Sequence, residues 1–211
     1  MRPSFPVIDL FLFSAAILVL LPAGAEAGTV SGLVTTPGGS AARSGVDPKA
    51  IPVPVVVWID GPRGSAPTGD RPVLSQNGVQ FSQPLLVVVA GQTVDMPNED
   101  DVAHNVYSRS APKPFNLGIY GQGETKNVTF DRVGLIDVLC SIHRRMKAKI
   151  LVVPNPYYAL TAVGSRYQIK GVPAGEYSLR SWSKSFSDTD QPIVVLENGD
   201  VSLNVSLAEA R

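Results

Sequence analysis

The chain has one cysteine, two histidines and three methionines in 211 residues, and these scarcities bound its chemistry. A single cysteine excludes a disulfide within the chain, so the fold must rest on its core alone. Eighteen basic and eighteen acidic side chains leave a formal net charge of zero. A neutral chain has no global field to draw nucleic acid or an anionic membrane surface. After residue 21 no apolar run approaches eighteen residues, so nothing there is expected to span a bilayer. No stretch carries a convincing helical period either.

The N-terminus has the pattern of an export signal. Arg2 gives a positive start, residues 10–21 are apolar apart from Ser14, and Ala25-Glu26-Ala27 offers a small-x-small cleavage site. Residues 1–27 are therefore expected to be a cleaved signal, leaving a soluble exported protein with no stable membrane insertion. Asp9 beside the apolar run weakens the signal, and an uncleaved anchor is the alternative.

What remains is rich in strand and turn signals, with 19 glycines and 18 prolines. Residues 53–59 are β-branched and stop at Asp60-Gly61-Pro62, and residues 63–71 are a Gly, Pro and Ser-rich loop. Residues 85–89 are continuously apolar, as in a strand buried on both faces. Residues 93–96, 105–107, 126–130 and 146–153 are further strand candidates, and 108–117 is expected to be a loop with at most one helical turn. The reading is all-β.

The scarce residues are not scattered. Cys140, His143 and Met146 share the run Cys140-Ser141-Ile142-His143-Arg144-Arg145-Met146, and His104 lies upstream at a strand entrance. An exported thiol is open to oxidation unless buried or metal-bound. A buried core cysteine and a hydrogen-bonded surface histidine are the plain alternatives. Two imidazoles, a thiolate and a thioether match the ligands of a mononuclear blue-copper centre, so one type 1 copper is expected on His104, Cys140, His143 and Met146. Structural zinc would ordinarily recruit a fourth Cys, His or carboxylate in place of the thioether. Strand alternation supports the placement: Ile136, Val138 and Cys140 share one face, as do Met146, Ala148, Ile150 and Val152. Met96, before Pro97, is expected to be core only.

Residues 85–153 resemble a cupredoxin of the plastocyanin and amicyanin group. Residues 97–105 resemble that family's first-histidine loop, and the Cys-x-x-His-x-x-Met spacing is the short amicyanin type, with Ile142 where proline is usual. A nearer resemblance is to bacterial exported proteins labelled methylamine-utilisation proteins, through His104 to Ser108, the Cys140 to Met146 loop and Pro156-Tyr157-Tyr158-Ala159. The resemblance implies a Greek-key β-sandwich over 72–154. It also implies that Asn105 ties the two ligand loops together and lends a backbone N–H to the thiolate, with a solvated turn asparagine as the alternative. Multicopper oxidases and copper nitrite reductases need several more histidines than this chain has.

The remaining segments have their own pattern. Residues 167–182 read as strand, turn, strand, and they resemble a prealbumin-type, carboxypeptidase regulatory-like sandwich. Residues 191–196 and 201–207 are expected to form a hairpin across Glu197-Asn198-Gly199-Asp200. Residues 28–34 resemble the opening strand of that second sandwich. Residues 28–62 and 158–211 are thus expected to join in one discontinuous domain, with a tandem arrangement as the alternative.

The function expected is single-electron transfer between redox partners in the periplasm or outside the cell, with no chemistry on a substrate. Arg144, Arg145, Lys147 and Lys149 are either a solvated strand end or a docking collar for an acidic redox partner. Glu99, Asp100 and Asp101 are read as charges that offset them near the other ligand loop. Two other functions use the same sequence: a copper carrier or buffer, and an extracellular interaction module with a secondary metal site.

Overall fold

The computed structural model describes residues 27–36 and 53–209, so all of the expected signal segment except Ala27 lies outside the described residues. The described residues form strands and turns, with no helix among them, and none is long and apolar enough to cross a membrane as a helix. In chain order the strands are β1 (Gly28–Thr35), β2 (Pro54–Asp60), β3 (Leu85–Val89), β4 (Gln92–Pro97), β5 (His104–Ser108), β6 (Phe115–Tyr120), β7 (Thr125–Phe130) and β8 (Gly134–Cys140). There follow β9 (Lys147–Val153), β10 (Tyr158–Ala162), β11 (Arg166–Val172), β12 (Gly175–Ser183), β13 (Phe186–Val195), β14 (Asp200–Ser202), β15 (Val205–Ser206) and β16 (Ala208–Glu209).

The middle of the chain builds a five-stranded sheet in the order β3-β9-β8-β5-β6 and a two-stranded sheet of β4 and β7. Alternation aims Val106, Ile136, Val138, Ile150 and Val152 inward from the first sheet, against Val94, Met96, Val128 and Phe130 from the second. Asp137 and Lys147 fall on the wet face. Strand β3 is buried from both sides: Val88 joins this core, while Leu85 and Val89 face the other way.

Strands near the start and the end of the described residues pair with each other. Strand β1 lies between β11 and β14, and β2 lies between β10 and β12 in the sheet β10-β2-β12-β13-β16. A second core of Val30, Val34, Val55, Val57, Ile59, Tyr167, Ile169, Leu179 and Ile193 fills the space between these sheets. A smaller apolar cluster joins the two bodies, with Val56 of β2 against Leu85, Val89, Leu151 and Val153, and with Trp58 and Trp182 at its edge. This contact explains why β9 is buried continuously from Ile150 to Val153 instead of alternating.

Two expectations from the sequence are corrected. Residues 191–196 and 201–207 do not form a hairpin: β13 pairs with β12 and β16, whereas β14 and β15 cross over and run parallel to β1. A tight Asn-Gly hairpin needs positive φ at both central residues. Here the turn closes from Gly199 N–H to the Leu196 carbonyl at 3.0 Å, and only Asn198, at φ +53°, is left-handed. Residues 108–117, expected to be a loop, also run into a strand, β6. Asn116 and Gly118 (φ +68°) disguise it, because Asn116 Oδ1 accepts from Gly118 N–H across an irregular stretch of the β5–β6 ladder.

The crossover depends on one close approach. A Cβ on Gly32 would run into the Leu203 carbonyl, so only glycine lets this part of the chain lie against β1. Asn204 Oδ1 then accepts from Leu33 N–H at 2.9 Å, replacing the ladder bond lost between β14 and β15.

Candidate metal centre

Three strand ends converge at one end of the middle sandwich. His104 opens β5, Cys140 closes β8, and the loop returning to β9 carries His143 and Met146. Val106 sits opposite Cys140, and Leu139 opposite Lys147, so the ladder fixes both ends of the loop. Inside the loop Met146 N–H donates to the His143 carbonyl at 2.9 Å, and Cys140 N–H donates to the Met146 carbonyl at 3.3 Å. Ser141 N–H donates to the Asn105 carbonyl at 3.1 Å, which ties the ligand loop to the histidine strand. The Asn105 side-chain Oδ1 is buried with no partner among the described residues.

The loop brings His104, Cys140 and His143 into one group. Cys140 Sγ lies 3.8 Å from Nδ1 of His104 and 3.8 Å from Nδ1 of His143. The two Nδ1 atoms are 3.1 Å apart, and the rings meet edge to face at 64°. Three N and S donors sharing one ion in a plane, at bond lengths of about 2.0–2.3 Å, stand about 3.5–3.8 Å from each other. The donor set therefore fits a single metal ion with little movement. His104 and Cys140 are buried, and His143 is partly exposed at the surface. Met146 is buried in the same apolar cluster as Cys140. Met96 is also buried, and its carbonyl accepts from Tyr120 Oη–H at 3.0 Å.

Asp100 is the residue whose part the sequence concealed. It is buried, and its Oδ2 lies 2.7 Å from His104 Nε2. Burial alone would raise its carboxyl group's pKa, but the hydrogen bonds from His104, Val79 and Gly78 outweigh it and hold the value below the usual carboxylate value. An ionised Asp100 accepts from Nε2–H, which leaves the Nδ1 lone pair of His104 facing Cys140 and His143. A hydrogen bond on the far ring nitrogen is the usual way of fixing the tautomer of a metal-ligating histidine.

The carboxylate is in turn cradled by a tight turn. Gly78 N–H donates to Oδ1 at 2.5 Å and Val79 N–H to Oδ2 at 3.0 Å. Both turn residues are left-handed, Gly78 at φ +65° and Val79 at +56°, and Asn77 N–H closes on the Gln80 carbonyl. A β-branched residue in this region costs about 1–2 kcal/mol, so the turn stores strain beside the site. The Asn77-Gly78 pair is a turn signal, but nothing in it marks a partner 22 residues away. Glu99 and Asp101 are exposed, as rim charges should be.

Of the four cations near the loop, Arg144, Arg145 and Lys147 are exposed. Lys149 is partly buried, and its Nζ lies 2.5 Å from Asp137 Oδ1 across the β8–β9 ladder.

Similarity to known proteins covers the same part of the chain. The profile of the copper binding proteins of the plastocyanin/azurin family matches residues 72–153. Amicyanin-alpha of Methylorubrum extorquens is 30% identical over 90 residues, which span 41% of this chain and 75% of that protein. Among solved structures, a Cu(I) amicyanin variant is 22% identical at a TM-score of 0.38, covering 46% of this chain and 98% of its own. A copper-containing nitrite reductase from Thermus scotoductus is 27% identical at a TM-score of 0.39, covering 45% of this chain and 25% of that one. Through residues 72–153 the chain belongs to the plastocyanin/azurin family of copper-binding proteins, the cupredoxins.

Proposed function

We propose that this chain is an exported single-electron carrier with one type 1 copper ion held by His104, Cys140, His143 and, weakly, Met146. The observation that carries this reading is the convergence of Cys140 Sγ and two histidine Nδ1 atoms at 3.1–3.8 Å in a mostly buried pocket. Bound there, copper supplies a one-electron couple at the thiolate. The protein's part is to hold the donors still. The β5–β8 and β8–β9 ladders fix Cys140, Asp100 fixes His104, and the Met146-to-His143 turn fixes the loop. A site held in this way changes little between oxidation states, which suits electron transfer better than metal delivery.

His143 is the proposed point of electron exit, because it is the more exposed of the two histidines. Ile142, 45% exposed, gives its end of the molecule an apolar contact, and Arg144 and Arg145 steer an acidic redox partner toward it. The strand pairings support a discontinuous prealbumin-like domain of residues 28–62 and 158–211 around a cupredoxin of 72–154.

Protein-film voltammetry combined with a Cu(I)-chelator challenge tests the carrier reading. The expected result is a reversible one-electron wave and slow loss of copper to bathocuproine disulfonate. Rapid stripping without a reversible wave would favour a copper carrier instead.

A further inference from the structure

Strand β6 is the last strand of its five-stranded sheet, and β7 of the facing sheet pairs only with β4. One side chain ties these two edges together. Lys126 of β7 donates from Nζ to the Leu117 carbonyl of β6 at 2.6 Å and reaches the Ile119 carbonyl at 3.5 Å. The same ammonium lies 5.0 Å from the centroid of the Tyr120 ring, within the reach of a cation–π contact. Lys126 is half-buried, and among the described residues it forms no ion pair.

Tyr120 connects this cation to the metal centre. It stands opposite His104 in the β5–β6 ladder, and opposite residues of an antiparallel ladder carry their side chains on one face. Both are buried, and Tyr120 shares its core cluster with Cys140 and Met146. Its hydroxyl donates to the Met96 carbonyl at 3.0 Å and accepts from Gln76 Nε2 at 2.7 Å. Its carbonyl accepts from Asn98 Nδ2 at 3.2 Å, and Asn98 Oδ1 accepts from Asp100 N–H at 2.9 Å. The ring against which the ammonium rests is thus fixed by the network that also holds the carboxylate on His104.

We propose that Lys126 raises the reduction potential of the centre, as an uncompensated cation held beside the ring that neighbours His104. The inference rests on the copper reading above. Taking up one electron lowers the charge of the metal group by one, so a fixed cation nearby stabilises the reduced form more than the oxidised form. Arg144 and Arg145 carry the same sign but are exposed, where salt screens them. Lys126 has no carboxylate to cancel it, and its contacts with two carbonyls and a ring shield it in part from solvent.

The test is a redox titration of the copper-loaded full chain against hexaammineruthenium(II), which gives one electron to each Cu(II). Lys126→Gln removes the charge and keeps an N–H donor. It should lower the equilibrium constant for reduction about threefold, as loss of one part-screened charge implies. Lys126→Met, which keeps the length of the side chain, should do the same, and Lys126→Arg should leave the constant nearly unchanged. The shift should persist at about 1 M salt, where the screening length is about 3 Å, whereas any shift in Arg144→Gln should vanish. In the metal-free protein the 15N shifts of His104 should be the same in Lys126→Gln as in the unaltered chain. An unchanged constant in both neutral variants, an equal fall in Lys126→Arg, or a moved His104 signal would overturn the proposal. An unaltered protein that takes up no thiolate-coloured copper would overturn the copper reading with it. A coloured protein whose potential ignores Lys126 overturns this inference alone.

Discussion

Asp100 and Val79 explain how one carboxylate can hold a buried imidazole in a single tautomer. The Asp100→Asn variant presents an amide where two backbone N–H groups and one imidazole N–H converge, and it cannot accept from all three. Copper affinity is expected to fall about 10–100-fold, the usual result of losing a histidine's supporting partner. Chelator competition measures the fall, and 15N shifts of His104 in the metal-free protein should reveal a mixture of tautomers. An unchanged affinity would show that the ladder alone positions His104. Val79→Gly should act in the opposite sense on stability. It keeps the N–H donor and removes the strain of a left-handed β-branched residue, so urea unfolding should show a gain of about 1 kcal/mol. At this scale the cluster of candidate ligands was legible because histidine and cysteine are so rare in the chain that one group of His104, Cys140 and His143 uses them all. Asp100 was not legible, because three consecutive acids look like a solvated loop and the donors that bury one of them lie 21 and 22 residues away.

Strands β8 and β9 were readable from alternation, because only one face of each is wet near the ligand loop. Strand β6 was not. It is an edge strand with Gly118 and Asn116 inside it, and Lys126 Nζ covers its free carbonyls at Leu117 and Ile119. The Asn198-Gly199 signal marked a turn correctly but not its partner strand, because the choice between folding back and crossing over is made by contacts with β1. Gly32 and Asn204 carry that choice. Asn204→Ala should destabilise the chain by about 1 kcal/mol, the net worth of one hydrogen bond, without altering the copper spectrum. Gly32→Ala should cost more, since a Cβ there meets the Leu203 carbonyl and the Tyr167 ring. Thermal melts of the two variants would rank them, and the reverse order would mean that the close approach at Gly32 is not limiting.

The described residues form two cores joined by a third, smaller apolar cluster. Each main core holds a tyrosine whose burial pushes its hydroxyl pKa up to about 12, Tyr120 in one and Tyr167 in the other. Both values lie above that of the unfolded chain, so the associated stability is complete below about pH 10. It is lost as the pH rises from about 10 to 12. Tyr167→Phe should flatten the fall in that window while costing stability at neutral pH, because the Leu203 carbonyl loses its donor. An equally steep alkaline fall in the variant would assign the effect to other groups. Strand β1 pairs with β11 and β14, far along the chain, and the sequence offered only a likeness between separated segments toward that pairing. The contact between the bodies was not legible, since Val56, Leu85 and Leu151 meet only through the fold. The measurement that bears most directly on the copper centre is the visible and EPR spectrum of the full chain with one equivalent of Cu(II), beside Cys140→Ser. An intense red-orange absorption with narrow copper hyperfine splitting, abolished in Cys140→Ser, is the expected result. A colourless protein, or a spectrum that the substitution leaves unchanged, would contradict a thiolate-bound copper centre.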